Sequence, residues 1–598
     1  MSETTPAPLE GGRARHGARP RRRVWPWVVG GVGVVIVAVG VVGFLFAKDA
    51  STMLRSADAL TSHAKAAKDA VADRDAPALA AEVDGLEASA REFADATSGW
   101  HWQLAAHTPW VADQARPLMA AGGAVDAMAS EALAPLASMD SLDALAVPGF
   151  EDGRIDPYVL EPYRAPLAQA SSVLETQASA LADVSLANTL DQVAKPFLDL
   201  QSQLDELAGL VGAAHVAAEL LPTMLGGEGE RTYLVMVQNN AEPRATGGIP
   251  SAIIELTVDS GRIEMGEYRT AKDLKAPNGI GGLTADEERI FGDQMEIFPQ
   301  DVNFTPEFPR SAELMTRFWA AGGGDDVDGV VSVDPVALGW MLEGADPVQV
   351  GPFEISGDNL AQVMLNETYI EFPEGDAQDA YFARAATVLF GSIVSGEAAV
   401  LDGVERAIDA HRFMVWSADE SEQAMLVTTQ ISGGFLEREN AVGVFVNDGS
   451  GDKIGYYVDS EATITDLMCP DGSIAGQEVE VAFTHTLDRP LRELPEAIIG
   501  GVYVPEGEFH ANVVFYPARG TGVAKVTLDG KKTKVRPENE SGRSMATARI
   551  ELKPGETATL GYEITATESG VLPPLYVQTP GALEPGVARV ERTASEGC

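Results

Sequence analysis

Between Gln238 and Gly248 the chain reads Gln-Asn-Asn-Ala-Glu-Pro-Arg-Ala-Thr-Gly-Gly, a run of amides, one arginine and two glycines after the buried-strand run Tyr233–Gln238. Such a loop can fix an anion. Arg244 offers a bidentate fork, the backbone N–H groups of Thr246, Gly247 and Gly248 offer a cradle, and Asn239 and Asn240 add side-chain amides. One hairpin later, Tyr-Arg-Thr-Ala-Lys-Asp-Leu brings Arg269, Lys272 and Asp273. If the two strands are neighbours, Arg244, Arg269 and Asp273 converge at one sheet end, the usual ligand position in open α/β sheets. Asp273 would then hold Mg²⁺ against a pyrophosphate clamped by the arginines, with Asp273 and Arg244 as the catalytic pair. The same residue types also build Asn-Asn turns and surface ion pairs, so at this point both readings stand.

Other chemistries find little support. The eight histidines are scattered, and no His-Glu-x-x-His, Gly-x-Ser-x-Gly or phosphate-loop pattern occurs. The two cysteines, Cys469 and Cys598, exclude a disulfide-rich scaffold and a four-thiolate zinc site. In an oxidising exterior a bond between them would close a loop of about 130 residues, worth ~4 kcal/mol in the chain-entropy model. With 89 acidic against 43 basic residues, net charge −46, binding of nucleic acid through a broad basic face is excluded.

The elements that must position these residues fall into five stretches. Residues 1–23 form a basic tail with six arginines, and 24–47 form an uncharged apolar run long enough to cross a bilayer as one helix. The arginines place the N-terminus in the cytoplasm and the rest outside, in a single-pass cell-membrane arrangement. A cleaved signal peptide is the competing reading, and the length of the run argues against it. Residues 48–225 are rich in Ala, Leu and Asp, with apolar residues at three- and four-residue steps, and read as a helical bundle or stalk. Trp100, Trp102 and Trp110 within it read either as an aromatic foot near lipid or as the closed end of the bundle. Residues 226–460 alternate short apolar strands with helices and read as an α/β domain. Within it lie a hairpin turning at Asp259-Ser260-Gly261, an N-cap at Ser311 and a second cap at Asp334-Pro335. Residues 461–598 read as an antiparallel β-sandwich of immunoglobulin-like kind, ending in a Pro- and Gly-rich tail from Leu572. The expected fold class is therefore α+β and multidomain.

The ordered strings YLVMVQNNAEPRATGG, GRIEMGEYRTAKDL, VNFTPEFPRSAELM, VDGVVSVDPVALGWML, FMVWSADESEQ and GDKIGYYVD closely resemble the bacterial membrane family called domain of unknown function 4012, over about residues 95–565. More distantly, an arginine near a strand, a hairpin and then a basic residue-x-x-Asp resemble the LytR–CpsA–Psr glycopolymer transferases. That resemblance implies arginines on a polyprenyl pyrophosphate, acidic residues on Mg²⁺ and transfer of a glycan to the cell wall. It makes Arg244 and Arg269 pyrophosphate ligands and Asp273 a metal ligand or base. The chain departs from that pattern in two places. It reads Arg244-Ala245-Thr246 where the transferases carry Arg-Ser-Asp, and Glu374–Ala386 holds only Arg384 where they cluster arginines. The expectation is a cell-envelope protein that binds or transfers a polyprenyl-pyrophosphate-linked glycan. The alternative is a non-catalytic scaffold for glycan or protein partners.

Overall fold

The computed structural model describes residues 25–72, 75–137, 150, 153–186, 188–395, 400–439, 441–469, 474–565, 575–583 and 586–595, with residues 25–43 as backbone only. The chain mixes helices and sheets. The basic tail 1–23, the first residue of the expected span and Cys598 lie outside the described residues.

Helices dominate the first third. They are α1 (Trp25–Ala72), α2 (Ala76–Ser98), α3 (Trp100–Ala106), α4 (Ala112–Ala127), α5 (Ala134–Ala137), α6 (Arg164–Ala182) and α7 (Asp191–Met224). α2 starts where Asp75 accepts a hydrogen bond from the Ala78 N–H, with Pro77 in the first turn, a cap and a φ-restricted residue acting together. Leucines and alanines of α4, α6 and α7 form the bundle core, including Leu167, Leu174, Leu181 and Leu204. α7 reaches a mean hydropathy of 1.4 over 18 residues, enough to cross a membrane by length and composition, and 33% of that stretch is buried within the protein. Packing explains this apolarity, because α7 faces α6 in the bundle on one side and the central sheet on another.

The central sheet has the order β3-β2-β1-β4-β7, from β1 (Arg231–Arg244), β2 (Gly247–Asp259), β3 (Arg262–Thr270), β4 (Gly329–Val333) and β7 (Phe413–Ser417). Only the β1–β4 pair is parallel. A small hairpin, β5 (Val348–Val350) and β6 (Phe353–Ile355), stands apart. The β2–β3 turn falls at Asp259-Ser260-Gly261 as expected, with Ser260 at φ 50° and Gly261 at φ 80°. The helices of this region are α8 (Ala285–Phe291), α9 (Gln294–Ile297), α10 (Phe308–Ala321), α11 (Pro335–Met341), α12 (Leu360–Gln362), α13 (Thr368–Glu371), α14 (Gly375–Val394), α15 (Val400–Asp409) and α16 (Glu420–Leu426). Asp334 caps α11 through the Ala337 N–H and binds Arg412 at 2.6 Å, a fully buried pair. Ser311 is not a cap. α10 begins at Phe308, and the Ser311 hydroxyl donates to the Val302 carbonyl from inside the helix.

Two packed sheets make the C-terminal part. One runs β14-β15-β11-β8-β17 and the other β13-β12-β16-β10-β9-β18. The strands are β8 (Ala441–Asp448), β9 (Val458–Met468), β10 (Ile474–His485), β11 (Phe509–Tyr516), β12 (Gly522–Leu528), β13 (Lys531–Lys532), β14 (Arg536–Glu540), β15 (Arg543–Leu552), β16 (Thr557–Thr565), β17 (Leu575–Gln578) and β18 (Val587–Ala594). Three expectations change here. The sandwich takes β8 from what read as the α/β domain, so it starts near Ala441 rather than 461. The tail contributes β17 and β18. Those two strands pair in parallel with β8 and β9, so the sandwich is not purely antiparallel. β18 carries the chain end to Cys469: the Ser595 N–H donates to the Met468 carbonyl at 2.8 Å, and Cys469 is disulfide-bonded.

Candidate functional site

The segment read as an anion-binding loop is a hairpin. β1 continues to Arg244 and β2 starts at Gly247, leaving Ala245 and Thr246 as the turn, with pairing irregularities at Val237/Gln238 and Asn239/Pro243. Gly248 is required there, since a Cβ would meet the Asn239 carbonyl oxygen at 2.1 Å. Its N–H, expected to cradle an anion, donates instead to the Gln238 Oε1 at 2.6 Å. Thr246 is buried, and its hydroxyl has no hydrogen-bond partner among the described residues. The same holds for the Asn240 amide. Asn239 donates to the Tyr369 hydroxyl at 2.8 Å.

Arg244, Arg269 and Asp273 do not converge. Arg269 pairs with Ile253 across β3 and β2, and Ile253 pairs with Met236 of β1, eight residues before Arg244. Along β2 their partners Ile253 and Gly247 are six residues apart, so at ~3.3 Å per residue the two arginines stand roughly 20 Å apart along the sheet. Arg244 is buried, bonded to Asp301 at 3.1 Å and to the carbonyls of Pro243 and Asp448, with its guanidinium over the Phe304 ring. Arg269 stacks on Trp319 at 4.1 Å and binds Glu267 and the Gly322 carbonyl. Asp273 closes a capping box on Thr270, accepting from its N–H at 2.9 Å and its hydroxyl at 2.8 Å. Among the described residues no group of three or more His, Cys, Asp or Glu is placed to hold a metal.

The feature that composition did not announce is a cleft of about 1540 Å³ on one face of the central sheet. Alternation along β1 sets it up. Leu234 and Met236 point into the core under α10, whereas Val235 and Val237 point into the cleft. Ala252, Ile254 and Leu256 of β2 continue that floor. The opposite wall comes from Ala217 and Leu221 of α7, Ala386 and Phe390 of α14, and Leu401 and Val404 of α15. The volume exceeds the ~300–1,000 Å³ common for small-molecule pockets.

Polar groups collect toward the carboxyl end of β1. Lys453 binds Glu242 at 2.7 Å and lies over the Tyr369 ring at 4.6 Å. Burial favours neutral Lys453, but the Glu242 carboxylate and Tyr369 outweigh it and hold the ammonium charged well above the ordinary lysine range. Burial pushes the Tyr369 hydroxyl up to about 12, so both partners keep their ordinary protonation at neutral pH. Beside them Asp452 is pushed up to about 7, chiefly by burial. At the solvent side Lys272 reaches across from β3 to Asp379 of α14 at 3.1 Å. Burial raises the nearby Tyr268 hydroxyl as well.

The groups gathered at this end of the cleft are Gln238, Asn239, Glu242, Lys272, Tyr369 and Lys453 rather than the arginines. Lys453 sits in GDKIGYYVD, 211 residues from Glu242, and spacing along the chain carries no signal for such a pair. Chemically the arrangement suits an extended apolar guest with a polar terminus. The lining holds two lysines against six carboxylates (Asp205, Glu206, Glu242, Asp379, Glu405 and Asp409) and, among the described residues, no histidine or cysteine.

Neither a curated protein nor a solved structure matches the chain. A family model does match, over β1 to β6 and on to Tyr369, the stretch that supplies most of the cleft floor and much of its polar end. Residues 228–369 match the family described as Protein of unknown function (DUF4012).

Proposed function

We propose that this protein binds a lipid with a long isoprenoid tail at the outer face of a cell membrane, the tail in the cleft and the head group at the Lys272 side. The cleft carries the reading. Its walls are largely Val, Ile, Leu, Ala and Phe side chains from the sheet and from α7, α14 and α15, and a concave surface of that size and kind suits an apolar guest. A polyprenyl-linked cell-wall glycan is the ligand class proposed, which also accords with the distant likeness of the strand–hairpin–basic-x-x-Asp order to the LytR–CpsA–Psr transferases.

Binding is favoured over transfer by where the arginines are spent. Arg244 is engaged by Asp301 and Arg269 by Glu267 and Trp319, neither lines the cleft, and the cleft lining is rich in carboxylates. A scaffold or carrier that holds the lipid without cleaving it fits that electrostatic balance. Were Mg²⁺ bound, the Asp273 carboxylate would be the chain group to hold it, and it would supply charge neutralisation to a bound diphosphate.

The test uses the full-length chain in phospholipid nanodiscs. Polyprenyl monophosphate and pyrophosphate are titrated with and without Mg²⁺, against wild type and Ala217→Trp/Ala386→Trp, which fills the cleft. Saturable binding by wild type that the filled variant loses is the expected result. Absence of binding by folded wild type would overturn the reading, and cleavage of the pyrophosphate would restore the transferase.

A further inference from the structure

The base of the bundle carries a second surface that lipid binding in the cleft does not use. Three connections meet there. α1 passes it at Phe46, whose ring stands edge-on to His101 at 5.0 Å and to Trp102 at 4.9 Å. α3 joins α2 to α4 across it. The turn between α6 and α7 is tied to it by Gln114, which donates to the Asn188 carbonyl at 2.8 Å and accepts from the Leu190 N–H at 2.9 Å. α3 therefore packs one residue before the apolar run of α1 ends at Ala47.

This corner divides its aromatics. Trp102 is buried, its Nε1–H donating to Asp49, whose carboxylate also meets His101 Nε2 at 2.5 Å. Trp100 is 62% exposed and Trp110 is 89% exposed, with Leu104, Val111, Leu190 and Phe44 also outward. Trp110 holds φ at 69°, a conformation that bulky side chains rarely adopt. Gly99–Val111 contains no Asp, Glu, Lys or Arg in a chain that is 22% charged. Of the carboxylates near this corner, Asp49 is covered by His101 and Trp102, whereas Asp191, next to Leu190, is exposed and pairs with Lys195.

We propose that this base is a membrane-seated platform, with Trp100, Leu104, Trp110 and Leu190 embedded at the headgroup–acyl boundary of the bilayer that α1 crosses. Exposed tryptophan and leucine without charge match that boundary, where an indole buries its ring and keeps its N–H wet. Charge points the same way. A chain of net charge −46 is repelled by anionic headgroups, and the uncharged Gly99–Val111 stretch is the part of the base that meets them at least cost. The inference rests on reading residues 24–47 as a membrane span and is independent of what fills the cleft.

The experiment places an environment-sensitive fluorophore on Leu104→Cys, on Trp110→Cys and, as the distant control, on Tyr503→Cys, which is exposed near the sandwich. Each full-length variant is studied in phosphatidylcholine/phosphatidylglycerol nanodiscs with and without lipid brominated near the headgroup. At 104 and 110 the emission shifts to the blue and is quenched by the brominated lipid, while at 503 it is unchanged. Emission at 104 and 110 indistinguishable from 503 overturns the proposal. So does shielding without quenching in discs that hold two chains, which assigns the surface to a second copy. Alkaline carbonate extraction of vesicles separates the two layers of the argument. A released chain sinks the span and the platform together, whereas a retained but unquenched chain sinks the platform alone.

Discussion

The two faces of the central sheet are built from alternate residues of the same strands and treat their partners in opposite ways. Under α10, Leu234, Met236 and Ile253 meet Phe308, Met315, Phe318 and Trp319 with no gap. On the other face Val331 and Val415 pack against α7 and Val235 and Val237 pack against α11 and α15, yet Val235, Val237 and Ile254 also border the cleft. Hydrophobicity is similar on both sides, so the difference lies in helix placement. One helix lies along the sheet, whereas the helices on the other face touch it only in places and leave a channel between them. Apolar residues in a strand thus indicate that a face is covered, without indicating whether protein or a guest covers it.

The largest expected effect tests that contrast directly. Phe318→Ala, on the filled face, should lose about 3–5 kcal/mol of unfolding free energy. Phe390→Ala, on the cleft wall, should lose far less in chemical denaturation, and equal losses would show that the cleft is ordinary core. Arg244→Ala breaks a buried pair with Asp301 and should also cost about 3–5 kcal/mol while leaving lipid affinity unchanged, because Arg244 does not line the cleft. Overpacking reverses the roles of the faces. Ala312→Trp under α10 should cost ~1–3 kcal/mol or more, whereas Ala386→Trp should keep its melting temperature and lose the lipid.

The pH response is smaller. The folded Asp452 carboxyl titrates near 7, against ~3.9 unfolded, because burial penalises its charge. The folded state therefore binds the proton more tightly. Its contribution is fully favourable below about pH 4, declines as pH rises from about 4 to 7 and is constant above. Asp452→Asn should flatten that decline in stability measured across this window. Smallest of all, Lys272→Ala removes an exposed pair with Asp379 worth ~0–1 kcal/mol, so stability should hardly move. Weaker binding of a phosphorylated polyprenol relative to the free alcohol would locate the head group there, and an unchanged ratio would place it elsewhere.

Local chemistry was legible where the partner is near in sequence. The Asp259-Ser260-Gly261 turn and the Asp334 cap each depend on atoms within about three residues, and both stand as read. Ser311 failed because its side chain bonds Val302, nine residues back, rather than the helix start. Arg244 looked available because its partners, Asp301 and Asp448, are 57 and 204 residues away. The apolar start of β8, Ala441–Val446, fits a buried strand in either domain, and only its pairing with β11 assigns it to the sandwich. The cleft was least legible, since a channel between Ala217 and Ala386 is made by what the helices do not touch. The disulfide lies between these cases. Peptide mapping without reduction should recover Cys469 linked to Cys598; among the described residues, Ser595 after β18 already reaches Met468.

α7 also sets a height. It rises from the bundle base, where Leu190 meets Gln114, and its first residue on the cleft wall is Asp205, fourteen residues beyond Asp191. At ~1.5 Å per residue that is about 21 Å of rigid riser between floor and cargo. If the base rests on the bilayer, a tail lodged in the cleft has been lifted clear of it rather than tilted out of it. The protein would then work as a hoist, and its traffic would be governed by how readily a lipid crosses that short aqueous gap, not by how fast it drifts within the leaflet.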